Sequence, residues 1–202
     1  MQRVAGSMLI IGSILFASAA FTPISGQIFG AAATPTEIIS FIEADPTGWL
    51  VTNILFGAGS LIAAIGVALF TVHLHNGRYS QNVKMIGYVS AGTALVAALM
   101  WLIISYLRVV QPEQIMSING GAYLWLGWVY VIGNIVTLLM MGAIMFMSDY
   151  SKWLGGVLLV FGVVTIISEL RSVPLVYYIP FLIAGIVLLV RSRTSNLSPQ
   201  PT

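Results

Sequence analysis

Six long apolar stretches, parted by short segments that hold nearly every charge, constrain this chain more than anything else in it. They fall at about residues 4–22, 49–73, 84–107, 122–147, 153–170 and 174–191. Runs of about 20 such residues without strict alternation match the α-helix that crosses a ~30 Å hydrocarbon layer. Only 7% of the residues are charged and 58% are hydrophobic, whereas an ordinary soluble domain is roughly 25% charged. A bilayer serves as solvent for so apolar a surface, and there the backbone must satisfy its own hydrogen bonds within helices or a closed barrel. The expected fold is therefore all-α: a polytopic integral membrane bundle of six transmembrane helices, one domain over residues 1–191.

Positive residues predict the direction of threading. With the N-terminus inside, Arg3, Arg78, Lys84, Lys152, Arg191 and Arg193 fall on the cytoplasmic side, and only Arg108 and Arg171 on the other. Glu37, Glu43, Asp45, Glu113 and Glu169 fall outside, with Asp149 alone inside. Six against two places both termini in the cytoplasm of a multi-pass cell-membrane protein. Arg3, the first apolar run and Ala17-Ser18-Ala19 also resemble a secretory signal with its cleavage site. That run of about 18 residues exceeds the usual 7–15 of a signal core, which favours a retained helix.

The segment after the first span is more than a linker. Thr34-Pro35-Thr36-Glu37 has the form of a capped helix start, and Ile38, Ile39, Phe41 and Ile42 supply an apolar face. A short amphipathic helix over about 35–44 follows, lying at the interface or packed across the outer mouth, and Asp45-Pro46 is expected to end it. Residues 192–202, polar and proline-rich, read as a disordered cytoplasmic tail.

Two passages carry a resemblance. Glu37-Ile38-Ile39-Ser40-Phe41-Ile42 leads into the second span, and Met147-Ser148-Asp149-Tyr150-Ser151-Lys152-Trp153-Leu154-Gly155-Gly156-Val157-Leu158-Leu159 opens the fifth. Their layout resembles a bacterial family of six-helix membrane proteins known only as a domain of unknown function. In that family a serine-rich turn with an aromatic and a basic residue precedes a leucine-glycine helix start; the proline of the family's turn is missing here. The resemblance implies architecture alone, since the family has no established activity.

Ionisable groups at membrane depth are costly and often functional. Arg108 closes the third span, Glu169 the fifth, and Arg171 sits in the turn before the sixth, with Ser168, Tyr106, Tyr177 and Tyr178 at similar depth. Converging, they would form an outward-facing pocket for an anionic or zwitterionic head group; separately, the arginines would snorkel to the interface. The short Glu169–Pro174 turn is expected to make spans five and six antiparallel neighbours. Asn134, near the midplane, needs a partner on another helix or a ligand, and Asn53 resembles it. Tyr123, Trp125, Trp128 and Tyr130, with Trp49 and Trp101, read as an aromatic belt.

His73 and His75 stand two apart on a helix, so they face different directions and make a poor metal pair. The chain has no cysteine, which removes disulfides, thiolate metal sites and cysteine nucleophiles. A net charge of +2 without a basic run gives no reason to expect nucleic acid as a partner. Met140, Met141, Met145 and Met147 read as adaptable packing rather than a soft-metal path. Glycines recur within the second span (Gly57, Gly59, Gly66), the fourth (Gly127, Gly133, Gly142) and the fifth (Gly155, Gly156, Gly162). They suit tight helix packing, within the chain, with itself or with protein partners in the bilayer.

No catalytic or cofactor signature appears, so no cofactor is assigned. The leading expectation is a small non-enzymatic membrane protein, an accessory subunit or transport-related bundle. A lipid- or quinone-handling enzyme using Arg108, Glu169 and Arg171, and a haem or pigment carrier using the histidines or tryptophans, remain open.

Overall fold

Prolines set several of the helix starts, because a fixed φ and a missing N–H suit the first turn. The computed structural model describes residues 1–30, 34–75, 77, 79–115, 124–148, 151–167 and 173–194. After α1 (Gln2–Ala20), helices α2 (Pro23–Gly30), α3 (Pro35–Ala44) and α4 (Pro46–His75) each begin at a proline behind a threonine or aspartate. The Thr22 hydroxyl accepts from the Ser25 N–H at 3.4 Å. Thr34 accepts from the Glu37 N–H at 3.3 Å while the Glu37 carboxylate takes the Thr34 N–H at 2.7 Å, completing the expected capping box. These bonds from the Thr34 backbone, and then its hydroxyl, hold the Glu37 carboxyl below its usual pKa.

Asp45 works in both directions. Its N–H closes α3 on the Phe41 carbonyl at 3.1 Å, and its Oδ1 accepts from the Gly48 N–H at 2.9 Å to open α4. The segment around Asp45-Pro46 is thus an elbow between helices rather than a simple end. Helix α2 is an addition to the sequence reading, which places no helix between the first span and residue 35. It buries Ile24 and Ile28, one turn apart, in a small cluster with Ile38, Ile42 and Trp49.

Helices α5 (Gln81–Val110), α6 (Pro112–Ile115), α7 (Leu124–Met147) and α8 (Lys152–Ile167) follow, then a 3₁₀ turn at Pro174–Tyr177 that runs into α9 (Tyr178–Thr194). Among the described residues five helices are long and apolar enough to cross a membrane: Gln2–Ala20, Pro46–His75, Gln81–Val110, Leu124–Met147 and Pro174–Ser192. The remaining expected span falls on α8, which is apolar but shorter over its described residues. Helix α8 has 16 described residues, about 24 Å at 1.5 Å each, short of a ~30 Å core. Helix α9 also continues to Thr194, past the start of the expected tail; residues 195–202 lie outside the described ones.

The helices pack in the order α9–α1–α4–α5–α7–α8. Here the structure overturns an expectation, for α8 and α9 hardly touch. Each has a better partner, α9 against α1 and α8 against α7, where glycines let backbones meet. A Cβ added to Gly185 would come 2.8 Å from the Gly6 carbonyl oxygen on α1. At the α1–α4 crossing, a Cβ on Gly59 would lie 2.5 Å from the Phe16 nitrogen and 2.8 Å from the Gly12 carbonyl oxygen. Lipid offers no hydrophobic drive between helices, so such close approach is itself a source of association. Hydroxyls add to it: Thr71 donates to the Gly87 carbonyl at 2.9 Å between α4 and α5, and Thr93 and Thr137 bond at 2.9 Å between α5 and α7.

Candidate functional site

At the α3 end of the bundle the small residues give way to rings. Phe16 of α1 stacks on Tyr178 of α9 with centroids 3.8 Å apart, and meets Phe56 of α4 edge-on at 4.8 Å and Trp101 of α5 at 5.6 Å. Trp101 reaches Tyr130 of α7 at 4.4 Å, and Tyr130 meets Tyr177 at 5.9 Å. The rings do not fill the space between these helix ends, and two cavities remain. One, of about 370 Å³, is lined by Phe16, Phe29, Phe56, Trp101, Ser25 and Arg108 among others. The second, of about 260 Å³, runs between Trp101, Arg108, Trp128 and Tyr130.

Arg108 stands where the two cavities meet. Its guanidinium lies over Phe29 at 5.2 Å and over Trp101 at 5.0 Å, a cation held between two π faces. Its side chain is half-buried, and its Nε has no hydrogen-bond partner among the described residues. The backbone beneath is fixed, because Trp49 Nε1 donates to the Arg108 carbonyl at 2.8 Å. The Trp101 indole N–H is a second buried donor without a partner among the described residues. The Tyr130 hydroxyl is a third, likewise buried and without a partner among the described residues. A cation and two further donors therefore border apolar space, which is the chemistry of holding an acceptor-bearing or anionic head above an apolar body.

Of the residues singled out in the sequence, Arg108, Tyr177 and Tyr178 meet in this aromatic cluster and its cavities. Glu169, Arg171 and Ser168 lie outside the described residues, and so does their expected clustering with Arg108. Tyr106 points elsewhere and is 65% exposed. Asn134 is buried on α7, but its amide donates to the Tyr130 carbonyl of its own helix at 2.9 Å. The cross-helix bond expected of it is made instead by Thr137, one turn on. Trp49 and Trp101 do not belong to an interfacial belt: both are buried, because their rings close the α3 end. Tyr130 is buried with them, whereas Trp125 and Trp128 remain exposed as a belt requires.

His75 Nδ1 and the Tyr88 hydroxyl lie 2.9 Å apart, and the described residues contain no group of metal-ligating side chains. Sequence reasoning missed Ser25 and Phe29, which α2 brings to the cavity. The Thr22-Pro23 start and the Ile24/Ile28 spacing were the signals available. No protein-family model matches the chain, and no curated protein or solved structure does so either.

Proposed function

We propose that this is a non-enzymatic integral membrane protein, an accessory or carrier bundle, that holds an amphiphile with an anionic head in the Arg108 cavities. The observation that carries the reading is the Arg108 guanidinium between Phe29 and Trp101, with a buried, unpartnered Nε, at the junction of two apolar cavities. A charge at such depth is costly unless something compensates it, and a carboxylate or phosphate head would do so while its chain fills the aromatic-lined space. The test is a titration of 11-bromoundecanoate into the protein in nanodiscs, read by quenching of tryptophan fluorescence. Arg108→Gln is expected to weaken quenching affinity about tenfold or more, the loss typical of a charge-assisted contact. Equal affinity in the variant, or equal quenching by the corresponding bromo-alcohol, would overturn the reading.

The same proposal includes six crossings with both termini in the cytoplasm, as in the six-helix family that the sequence resembles. The short α8 would then be a fifth crossing where the bilayer thins locally. Support comes from the six-to-two bias of lysine and arginine. The absence of native cysteine makes labelling direct: an impermeant maleimide added to intact cells should modify Ser40→Cys and spare Ser80→Cys. The opposite pattern would reverse the topology.

A further inference from the structure

A separate groove lies between α4 and α5. About 570 Å³ in volume, it is walled by Leu50, Ile54, Leu102, Ile103, Tyr106 and Val109. Ile54 and Ile103 are exposed, so the groove opens sideways, toward what would be lipid. Two polar residues complete its lining, Asn53 and Ser105, only 2% and 3% exposed. Asn53 Oδ1 and Ser105 Oγ are both buried without a hydrogen-bond partner among the described residues. In hydrocarbon no water is at hand to satisfy them.

The chemistry of the pair is specific. Asn53 Nδ2 donates to the Trp49 carbonyl at 2.9 Å, and a carbonyl can only accept, so the amide cannot turn round. Its Oδ1 therefore remains an acceptor in need of a donor. Ser105 can donate or accept. A hydroxyl answers both at once, giving its proton to Asn53 Oδ1 and accepting one from Ser105 Oγ. A carboxylate has no proton to give, and an ester or ether has none either. No charged side chain lines the groove among the described residues, and the rest of the wall is aliphatic apart from the Tyr106 ring. We infer that the α4–α5 groove is a lateral binding site for a neutral lipid bearing a free hydroxyl, its head seated on Asn53 and Ser105 and its chain along Ile54 and Ile103.

The groove is lined by neither Arg108 nor Trp101, so the inference stands apart from the anionic site. A diazirine-bearing hexadecanol, photolysed with the protein in phosphatidylcholine nanodiscs, tests it. Adducts are expected on the peptides that carry Leu50–Ile54 and Leu102–Val109. Unlabelled hexadecanol should compete, and hexadecyl methyl ether about tenfold less well, since it cannot donate. Asn53→Leu and Ser105→Ala should each cut labelling, Asn53→Leu by about tenfold. Ile54→Trp, which fills the groove from its exposed side and leaves the polar pair untouched, should abolish it even if the polar variants fail to fold. Equal competition by the ether, adducts spread evenly over the lipid-facing surface, or full labelling of a folded Asn53→Leu variant or of Ile54→Trp would each overturn the inference. A direct Asn53–Ser105 bond that excludes ligand would show as no adduct in the groove at all. Failure here leaves the bromo-acid titration at Arg108 unaffected.

Discussion

One pair of helices, α1 and α4, is built in two ways along its length. Around Gly12, Gly59 and Gly66 the backbones meet with no room for a Cβ. A turn or so further toward α3, Phe16 and Phe56 face each other with their rings at 4.8 Å, and a cavity opens beside them. The contrast shows how a bundle without a hydrophobic drive can be both firm and hollow. Close backbone contact fixes the crossing, and the rings beside it leave space that they do not fill. Neither half makes sense alone: a seam of glycines throughout would leave no cavity, and rings throughout would leave nothing to hold the pair.

The sharpest way to break the comparison is Gly59→Leu. Its Cβ alone would enter the space of the Phe16 nitrogen, an atom of backbone that cannot move aside. A loss of about 3 kcal/mol or more is expected, at or above the upper end for overpacking. It should appear as a collapse of the thermal midpoint in detergent; an unchanged midpoint would mean that the seam is not the anchor. Phe16→Ala, on the hollow side, should cost about 3 kcal/mol, the low end of the range for a buried ring, because the site already borders a cavity. It should also enlarge the cavity and loosen bromo-acid binding, and unchanged binding would erase the distinction between the halves.

The smallest expected effect lies at the α3 cap. Glu37 has a depressed pKa in the fold, so its contribution is complete above the ordinary carboxylate value of about 4.3 and fades as pH falls through the lower folded value. Protection factors of the α3 amides, corrected for the intrinsic pH dependence of exchange, should therefore fall as pH drops below about 4.3, while those at the Gly12–Gly59 seam do not change. Glu37→Gln should remove that pH dependence. Its persistence would assign the effect to another group.

Hydropathy alone made the long apolar helices legible, because each is a continuous local run. The capping box of α3 was legible for the same reason, since Thr34 and Glu37 are three residues apart. Neighbour relations were not. A short turn suggested that α8 and α9 pair, but the fit of Gly6 to Gly185 decides the matter across most of the chain. Trp49 and Trp101 looked like belt residues because ring type does not reveal which face of a helix is turned inward. Arg108 was visible as a charge at depth. Its seat between Phe29 and Trp101 was not, because Phe29 rides on α2, a helix of eight residues whose only local signals are Thr22-Pro23 and the Ile24/Ile28 spacing.

Asp45 has a mechanical consequence. The same residue closes α3 with its N–H and opens α4 with its carboxylate, so no slack lies between them. Residues 35–75 form a bent rod, its short arm seated on α2 through Ile38 and Ile42 and its long arm bearing Asn53, Phe56 and Gly59. Where the short arm seats thus sets where the long one starts, and with it one wall of both the Arg108 cavity and the lateral groove.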